Sequence, residues 1–199
     1  MSRIHAGDPQ ALAQLFGKHR DRLSRMVRLS LDRRLQGRID PSDVLQEAFI
    51  DAYYRQHEYR ADPMMAPFLW LRFLTGQRLL ALHRRHLGTQ MREAAREVSL
   101  QAGTMPQADS FSLANFLLGR LTTPSLAAIR AEMRVRLQDV LNAMDPIDRE
   151  VLVLRHFEEL SNGETAVVLG LQKAAASNRY VRALRRLTDF LATTPGFLE

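Results

Sequence analysis

Apolar residues recur along this chain at intervals of three and four, the spacing that gathers them on one side of an α-helix. Leu12, Leu15, Phe16, Leu23, Met26 and Val27 form one such series, and Ile129, Met133, Leu137, Val140 and Leu141 form another. The strict alternation of half-buried strands is nearly absent. Helix starts are marked by a side chain able to cap, followed by a proline whose missing N–H is no loss in the first turn. Asp8-Pro9, Asp40-Pro41, Thr123-Pro124 and Asp145-Pro146 all have this form. Between about Gly88 and Pro124 the periodicity lapses, and Gly103, Pro106, Gly119 and scattered Ser, Thr and Gln take its place. The pattern predicts an all-α chain with two small helical domains, residues 1–88 and 124–199, joined by a linker over residues 89–123.

The helix predicted over residues 40–54 has two chemically opposite sides. At 100° per residue, Asp40, Asp43, Glu47 and Asp51 fall within about 80° of one another, with Leu45, Ala48, Phe49 and Ala52 opposite. No lysine or arginine stands between positions 40 and 51. Like charges on one stripe repel, so two readings stay open: a solvated face with acids near the helix N-terminus, or a surface that a basic partner covers. A magnesium site of the Asp-x-x-Asp kind lacks a second motif facing it. The next segment, residues 68–86, is apolar nearly all round in its first half and basic in its second. Phe68, Trp70 and Phe73 have faces that stack on unpaired bases, but the spacing favours a core role. His83 and His86 find no carboxylate at helical spacing to complete a metal site.

Ser161-Asn-Gly-Glu164 has the form of a capping box, opening a short helix over residues 164–169 that Gly170 ends as a left-handed C-cap. A second helix follows over about residues 173–191. Two helices joined by a tight glycine-containing turn make a helix-turn-helix, whose second helix enters the DNA major groove. On that helix Ala176, Tyr180, Ala183, Leu184, Leu187 and Leu191 share one side. Asn178, Arg182 and Arg185 point the other way, flanked by Arg179 and Arg186, and the small residues Ala174, Ala175 and Ser177 permit close approach to a duplex. The alternative is an ordinary amphipathic surface helix with its arginines in solvent.

Composition sharpens this picture. The 199 residues carry 28 Lys and Arg against 22 Asp and Glu, a formal charge of +6, which suits an anionic partner. Only Lys18 and Lys173 are lysines; arginine's planar fork pairs bidentately with phosphates and guanine edges. The absence of cysteine excludes disulfides, thiolate metal sites and cysteine nucleophiles. No uninterrupted apolar run approaches 18 residues and residues 1–10 lack the core of a signal peptide, so a cytoplasmic protein without membrane insertion is expected. No nucleophile–base pair, facing carboxylate dyad or phosphate-binding glycine loop stands out, so no enzyme and no cofactor are expected.

Taken together, these segments resemble the extracytoplasmic-function sigma factors of bacterial RNA polymerase over nearly the whole chain. Asp43-Val-Leu-Gln-Glu47 with Ala48-Phe49 is similar to the region-two helix that docks on the polymerase clamp. Trp70-Leu-Arg-Phe-Leu-Thr-Gly-Gln77 is similar to the segment before the loop that captures a melted promoter base. Leu141, Asp148-Arg-Glu-Val-Leu-Val-Leu-Arg155, Leu160-Ser161, Leu169-Gly170-Leu171 and the stretch 179–187 resemble the region-four domain that reads the upstream promoter element.

The resemblance implies a transcription initiation factor that binds core RNA polymerase, directs it to specific promoters and assists their melting. Its implied partners are core polymerase and promoter DNA, with an anti-sigma factor as a further family-level partner. Asp40, Asp43, Gln46, Glu47 and Asp51 would meet basic side chains of the clamp. Trp70, Gln77, Arg78, Arg84 and Arg85 would lie along the melted downstream element, and residues 89–123 would thread through the polymerase near the RNA exit path. Lys173, Ser177, Asn178, Arg179, Arg182 and Arg185 would contact the upstream element. Gln77 stands where the family often has Asn, and Gln172 and Ala175 stand where Ser and Thr are common. At the start of the recognition helix, Lys173 and the helix N-terminus are therefore expected to hold the phosphate. The competing reading is a stand-alone helix-turn-helix regulator with an N-terminal dimerisation or sensor module, which binds a palindromic duplex without polymerase. An all-helical adaptor, a third reading, shows no salt-dependent DNA affinity.

Overall fold

In the computed structural model, which describes residues 8–61, 66–87, 108–121 and 127–193, regular structure is helical throughout, with one isolated bridge between Gln36 and Ile39. The chain divides into two units, Met1–Gln107 and Ala108–Glu199. No helix among the described residues is long and apolar enough to cross a membrane.

The first unit contains α1 (Pro9–Ser30), α2 (Pro41–Tyr54), α3 (Gln56–Ala61) and α4 (Pro67–Leu87). Asp8 caps α1 by accepting from the Gln10 and Ala11 N–H groups at 2.9 and 3.4 Å, and Asp40 caps α2 by accepting from the Ser42 N–H at 2.8 Å. Both proline starts therefore work as the sequence predicts. Leu12, Leu23, Met26 and Val27 of α1 meet Val44, Leu45, Ala48 and Ala52 of α2 and the buried side of α4. The first half of α4 lies inside, as its all-round apolar composition requires: Phe68, Trp70, Leu71 and Leu74 are all buried. Trp70, expected beside the melted promoter as core support more than as a stacking ring, packs in this core with its ring 4.9 Å from that of Tyr59. Removing so large an apolar side chain from water outweighs keeping it on the surface as a stacking platform. Phe68 is likewise covered, with the Arg22 guanidinium 3.6 Å from its ring centre, whereas Phe73 is exposed.

His83, near the far end of α4, is 3% exposed, and its Nε2 accepts from the backbone N–H of Asp32 at 3.2 Å. Burial pushes its pKa down, the Asp32 carboxylate opposes that shift, and Arg34 reinforces it. The folded state thus holds a neutral imidazole that the unfolded chain protonates near pH 6.5. Stability from this group is fully present above about pH 6.5 and is lost as the pH falls toward the depressed folded value. The melting temperature of the first unit is expected to drop between about pH 7.5 and about pH 5. In a His83→Gln variant, whose amide oxygen still accepts the Asp32 N–H, that component of the drop disappears. An identical drop in the variant refutes the assignment.

The second unit contains α5 (Ser110–Leu121), α6 (Ala127–Asn142), α7 (Pro146–Leu152) continued by a π-helical turn (Val153–Phe157), α8 (Asn162–Leu169) and α9 (Lys173–Ala192). Helix α5 corrects the linker expected over residues 89–123: the second unit begins at Ala108, and α5 packs against α6. Leu113, Ala114 and Leu118 are buried, and Phe116 meets Phe157 edge-on at 5.1 Å. Gly119, read as punctuation, has nothing within 4 Å of where a Cβ would stand and is simply a helical residue. Asp109 accepts from the Ser112 N–H at 2.9 Å, Arg149 donates to Ser110 Oγ at 2.8 Å, and Glu150 accepts from the Ala108 N–H at 3.3 Å. Tertiary contacts thus settle a helix that local composition disfavours. Residues 88–107 and the Thr123-Pro124 start lie outside the described residues.

Asp145 caps α7 through the Ile147 N–H at 2.8 Å. Val151, Leu152, Val153 and Leu154 are each at most 2% exposed. Four successive residues sweep about 300° around a helix, so this stretch is enclosed on every side.

Candidate nucleic-acid interface

Helices α8 and α9 are joined as a helix-turn-helix. Ser161 Oγ accepts from the Glu164 N–H at 3.2 Å while Glu164 accepts from the Ser161 N–H at 2.8 Å, completing the capping box. Gly170 ends α8 with φ 63°, a left-handed conformation that glycine adopts without penalty, and the Leu171 N–H donates to the Ala166 carbonyl at 2.8 Å. Asn162 Nδ2 donates to the Lys173 carbonyl at 2.8 Å and ties the start of α8 to the start of α9. Gln172 makes no side-chain cap bond, in keeping with its departure from Ser or Thr, and the Lys173 stem passes over Gly163.

On α9, Ala176 and Ala183 are buried against the unit. Ala174, Asn178, Val181 and Arg185 form the outward row, with Lys173 and Ser177 exposed beside it. The remaining arginines are engaged. Arg182 donates from Nε and Nη2 to the two carboxylate oxygens of Asp148 at 2.6 and 2.7 Å, and Arg179 donates from Nη1 to the same carboxylate at 2.7 Å. Arg179 also lies 3.2 Å from Asp145, and Arg186 donates to the Ala143 carbonyl at 3.0 Å. The Asp148 side chain is 1% exposed, whereas that of Arg182 is 52% exposed. Burial alone raises the Asp148 pKa, but hydrogen bonds from Arg182 and Arg179 outweigh it and hold the carboxyl below the usual carboxylate range.

Arg182 therefore bends back to the scaffold, unlike the freely projecting side chain expected from its place on the helix. A buried carboxylate demands paired cations, and two arginines one turn apart reach it. Asp148 was not singled out as a site residue. Its signal is the acid three residues after the cap in Asp145-Pro-Ile-Asp148, beside a helix rich in arginine.

In the first unit, Asp40, Asp43, Gln46 and Glu47 are exposed along α2. Asp51 is paired side-on by Arg78 of α4, whose Nη1 also lies 3.9 Å from Glu47. Part of the positive cover for the acidic stripe thus comes from within the chain. Arg55 donates to Gln77 at 2.7 Å and pairs with Glu58, so Gln77 and Arg78 sit beside the acidic face. Arg84 and Arg85 are exposed in the last turn of α4, while Trp70 is separated from them in the core. Ile50, Tyr53 and Tyr54 add exposed apolar surface to α2 that sequence reasoning did not single out; the paired tyrosines after the acidic stripe are the cue.

Comparison with known proteins places the helix-turn-helix within a wider similarity. Residues 134–187 match the family model described as Sigma-70, region 4. A 58-residue stretch is 43% identical to the RNA polymerase sigma-E factor of Streptomyces coelicolor, covering 29% of this chain and 33% of that one. The chain thus spans about a third of the length of the sigma-E factors it matches. Over 196 residues it is 27% identical to the RNA polymerase sigma factor NccH of Alcaligenes xylosoxydans xylosoxydans, covering 96% of this chain and 92% of that one. The fold is similar to that of CnrH, solved in complex with the cytosolic domain of CnrY, with a TM-score of 0.56 at 22% identity over 97% of this chain and 96% of that one.

Proposed function

We propose that this chain, similar to sigma factors of the extracytoplasmic-function class over nearly its whole length, is a transcription initiation factor that binds core RNA polymerase and directs it to specific promoters. The observation that carries this reading is the outward row of α9, set by a helix-turn-helix whose first helix is capped at both ends, inside the stretch that matches region 4. In this reading Lys173 and the N-terminus of α9 hold one phosphate of the upstream element and Arg185 another, while Ser177 and Asn178 meet the groove. Asp40, Asp43, Gln46 and Glu47 dock on basic side chains of the polymerase, with Asp51 at the end of the stripe shared with Arg78. Gln77, Arg78, Arg84 and Arg85 lie along the downstream element and assist its opening, with Trp70 supporting that helix from inside. The protein acts through binding energy alone, without catalysis or cofactor. An anti-sigma protein is a further partner in this reading, as the family resemblance implies.

The test is the affinity of the full chain for purified bacterial core polymerase, followed by transcription from a promoter library. A stable complex that initiates from a defined set of sequences is the expected result. A folded protein that binds a palindromic duplex by itself and ignores polymerase is instead a stand-alone regulator. Arg185→Ala is expected to weaken promoter binding evenly across sequences and to lower the slope of log affinity against log salt by about one, as the loss of one phosphate contact does. An unchanged slope takes Arg185 off the DNA.

A further inference from the structure

We infer that Asp148 is a positioning residue for promoter reading, a carboxylate that never touches DNA but sets the guanidinium of Arg182 at a fixed angle so that it recognises one guanine. The inference rests on the proposed role of α9 in promoter DNA and goes one step beyond it.

Arg182 carries five N–H donors. Its pairing with Asp148 uses Nε and one hydrogen of Nη2, the side edge of the fork. The end edge, formed by Nη1 and the second hydrogen of Nη2, is left on a side chain that remains 52% exposed. That edge has the spacing of guanine O6 and N7 in the major groove. A free arginine on a helix flank samples many rotamers, and fixing it for a bidentate contact carries an entropic penalty at each encounter. Here the penalty is met in the folded protein, because Asp148 is 1% exposed and stands on α7 one turn before the enclosed stretch 151–154. Arg179 shares Asp148 Oδ1 with Arg182 and also reaches Asp145, so the four charges sum to zero. Stability alone is a weak reason for such a cluster, since apolar residues of similar volume usually serve a buried site as well or better. Orientation is what a side-on carboxylate supplies and an apolar residue does not.

The experiment is selection by the full chain, assembled with core polymerase, from promoters randomised across the upstream element. Wild type, Asp148→Asn, Arg182→Ala and the double variant are compared, each checked by a circular dichroism melt. The expected profile for wild type includes one position with a guanine preference of about tenfold or more. Asp148→Asn and Arg182→Ala each flatten that same position and leave the others sharp, and the double variant loses no more than either single one. A sharp guanine position in Asp148→Asn, or an even loss at all positions, overturns the inference and leaves Asp148 as a strut. If Asp148→Asn fails to fold, Asp148→Leu decides, because an apolar side chain fills the buried site and keeps Arg182 but holds no guanidinium side-on. Flattening at the single position supports the inference, and an unaltered profile or a uniform loss overturns it. Failure of wild type to select any sequence strikes the initiation-factor reading itself, an outcome distinct from the others.

Discussion

Trp70→Ala is expected to destabilise the first unit by about 3–5 kcal/mol, the usual range for emptying a buried aromatic site. Trp70 is 4% exposed, rests on Tyr59, and is followed by the buried Leu71 and Leu74, so little neighbouring material can collapse into the space it leaves. Against a total stability of about 5–15 kcal/mol for a domain, that loss leaves a substantial unfolded population on mild heating. Because Trp70 is the only tryptophan, its fluorescence follows unfolding of the first unit in wild type, and circular dichroism in urea follows the variant. Trp70→Phe restores most of the volume and should recover much of the loss. The competing expectation, in which Trp70 stacks on an unpaired promoter base, gives the opposite pattern: unchanged unfolding with impaired strand opening.

Glu47→Arg should raise the dissociation constant for core polymerase about 10- to 100-fold, or about 1.4–2.8 kcal/mol. The Glu47 side chain is 59% exposed in the middle of the acidic stripe, and reversing its sign sets like charges against the basic docking surface proposed to cover that stripe. The fold should tolerate the change, since the Glu47–Arg78 approach is long at 3.9 Å and Asp51 continues to hold Arg78. Exposed pairs of this kind contribute little to stability. Fluorescence anisotropy of labelled protein titrated with polymerase reads the affinity, and a thermal melt checks the fold. Equal affinity with an equal melt removes α2 from the interface.

What the sequence makes legible is local. The Asp-Pro starts at 8, 40 and 145, the capping box at Ser161 and the left-handed Gly170 depend on residues within one turn of each other, and each forms as its neighbours dictate. The outward row of α9 is equally readable, because helical phase fixes it once Ala176 and Ala183 are taken as the buried side. Burial at Trp70 follows from the lack of any polar side in the first half of α4. Helix α5 is obscured because Gly119 and the serines look like punctuation, while its stability comes from distant partners such as Phe157, Arg149 and Glu150. The two ion-pair systems are hidden for the same reason. Arg78 finds Asp51 across 27 positions and Arg182 finds Asp148 across 34, separations at which helical periodicity says nothing about which charges meet.

The enclosure of residues 151–154 bears on how such a protein diversifies. With no side facing water, that stretch accepts only exchanges of similar volume and polarity, and substitutions there drift slowly regardless of any chemistry. The outward row of α9 is under no such constraint, since Ala174, Asn178, Val181 and Arg185 can be exchanged without emptying the core. With α9 in the promoter-reading role proposed for it, descendants of one ancestral chain can therefore acquire different DNA preferences while the framework beneath α9 stays fixed.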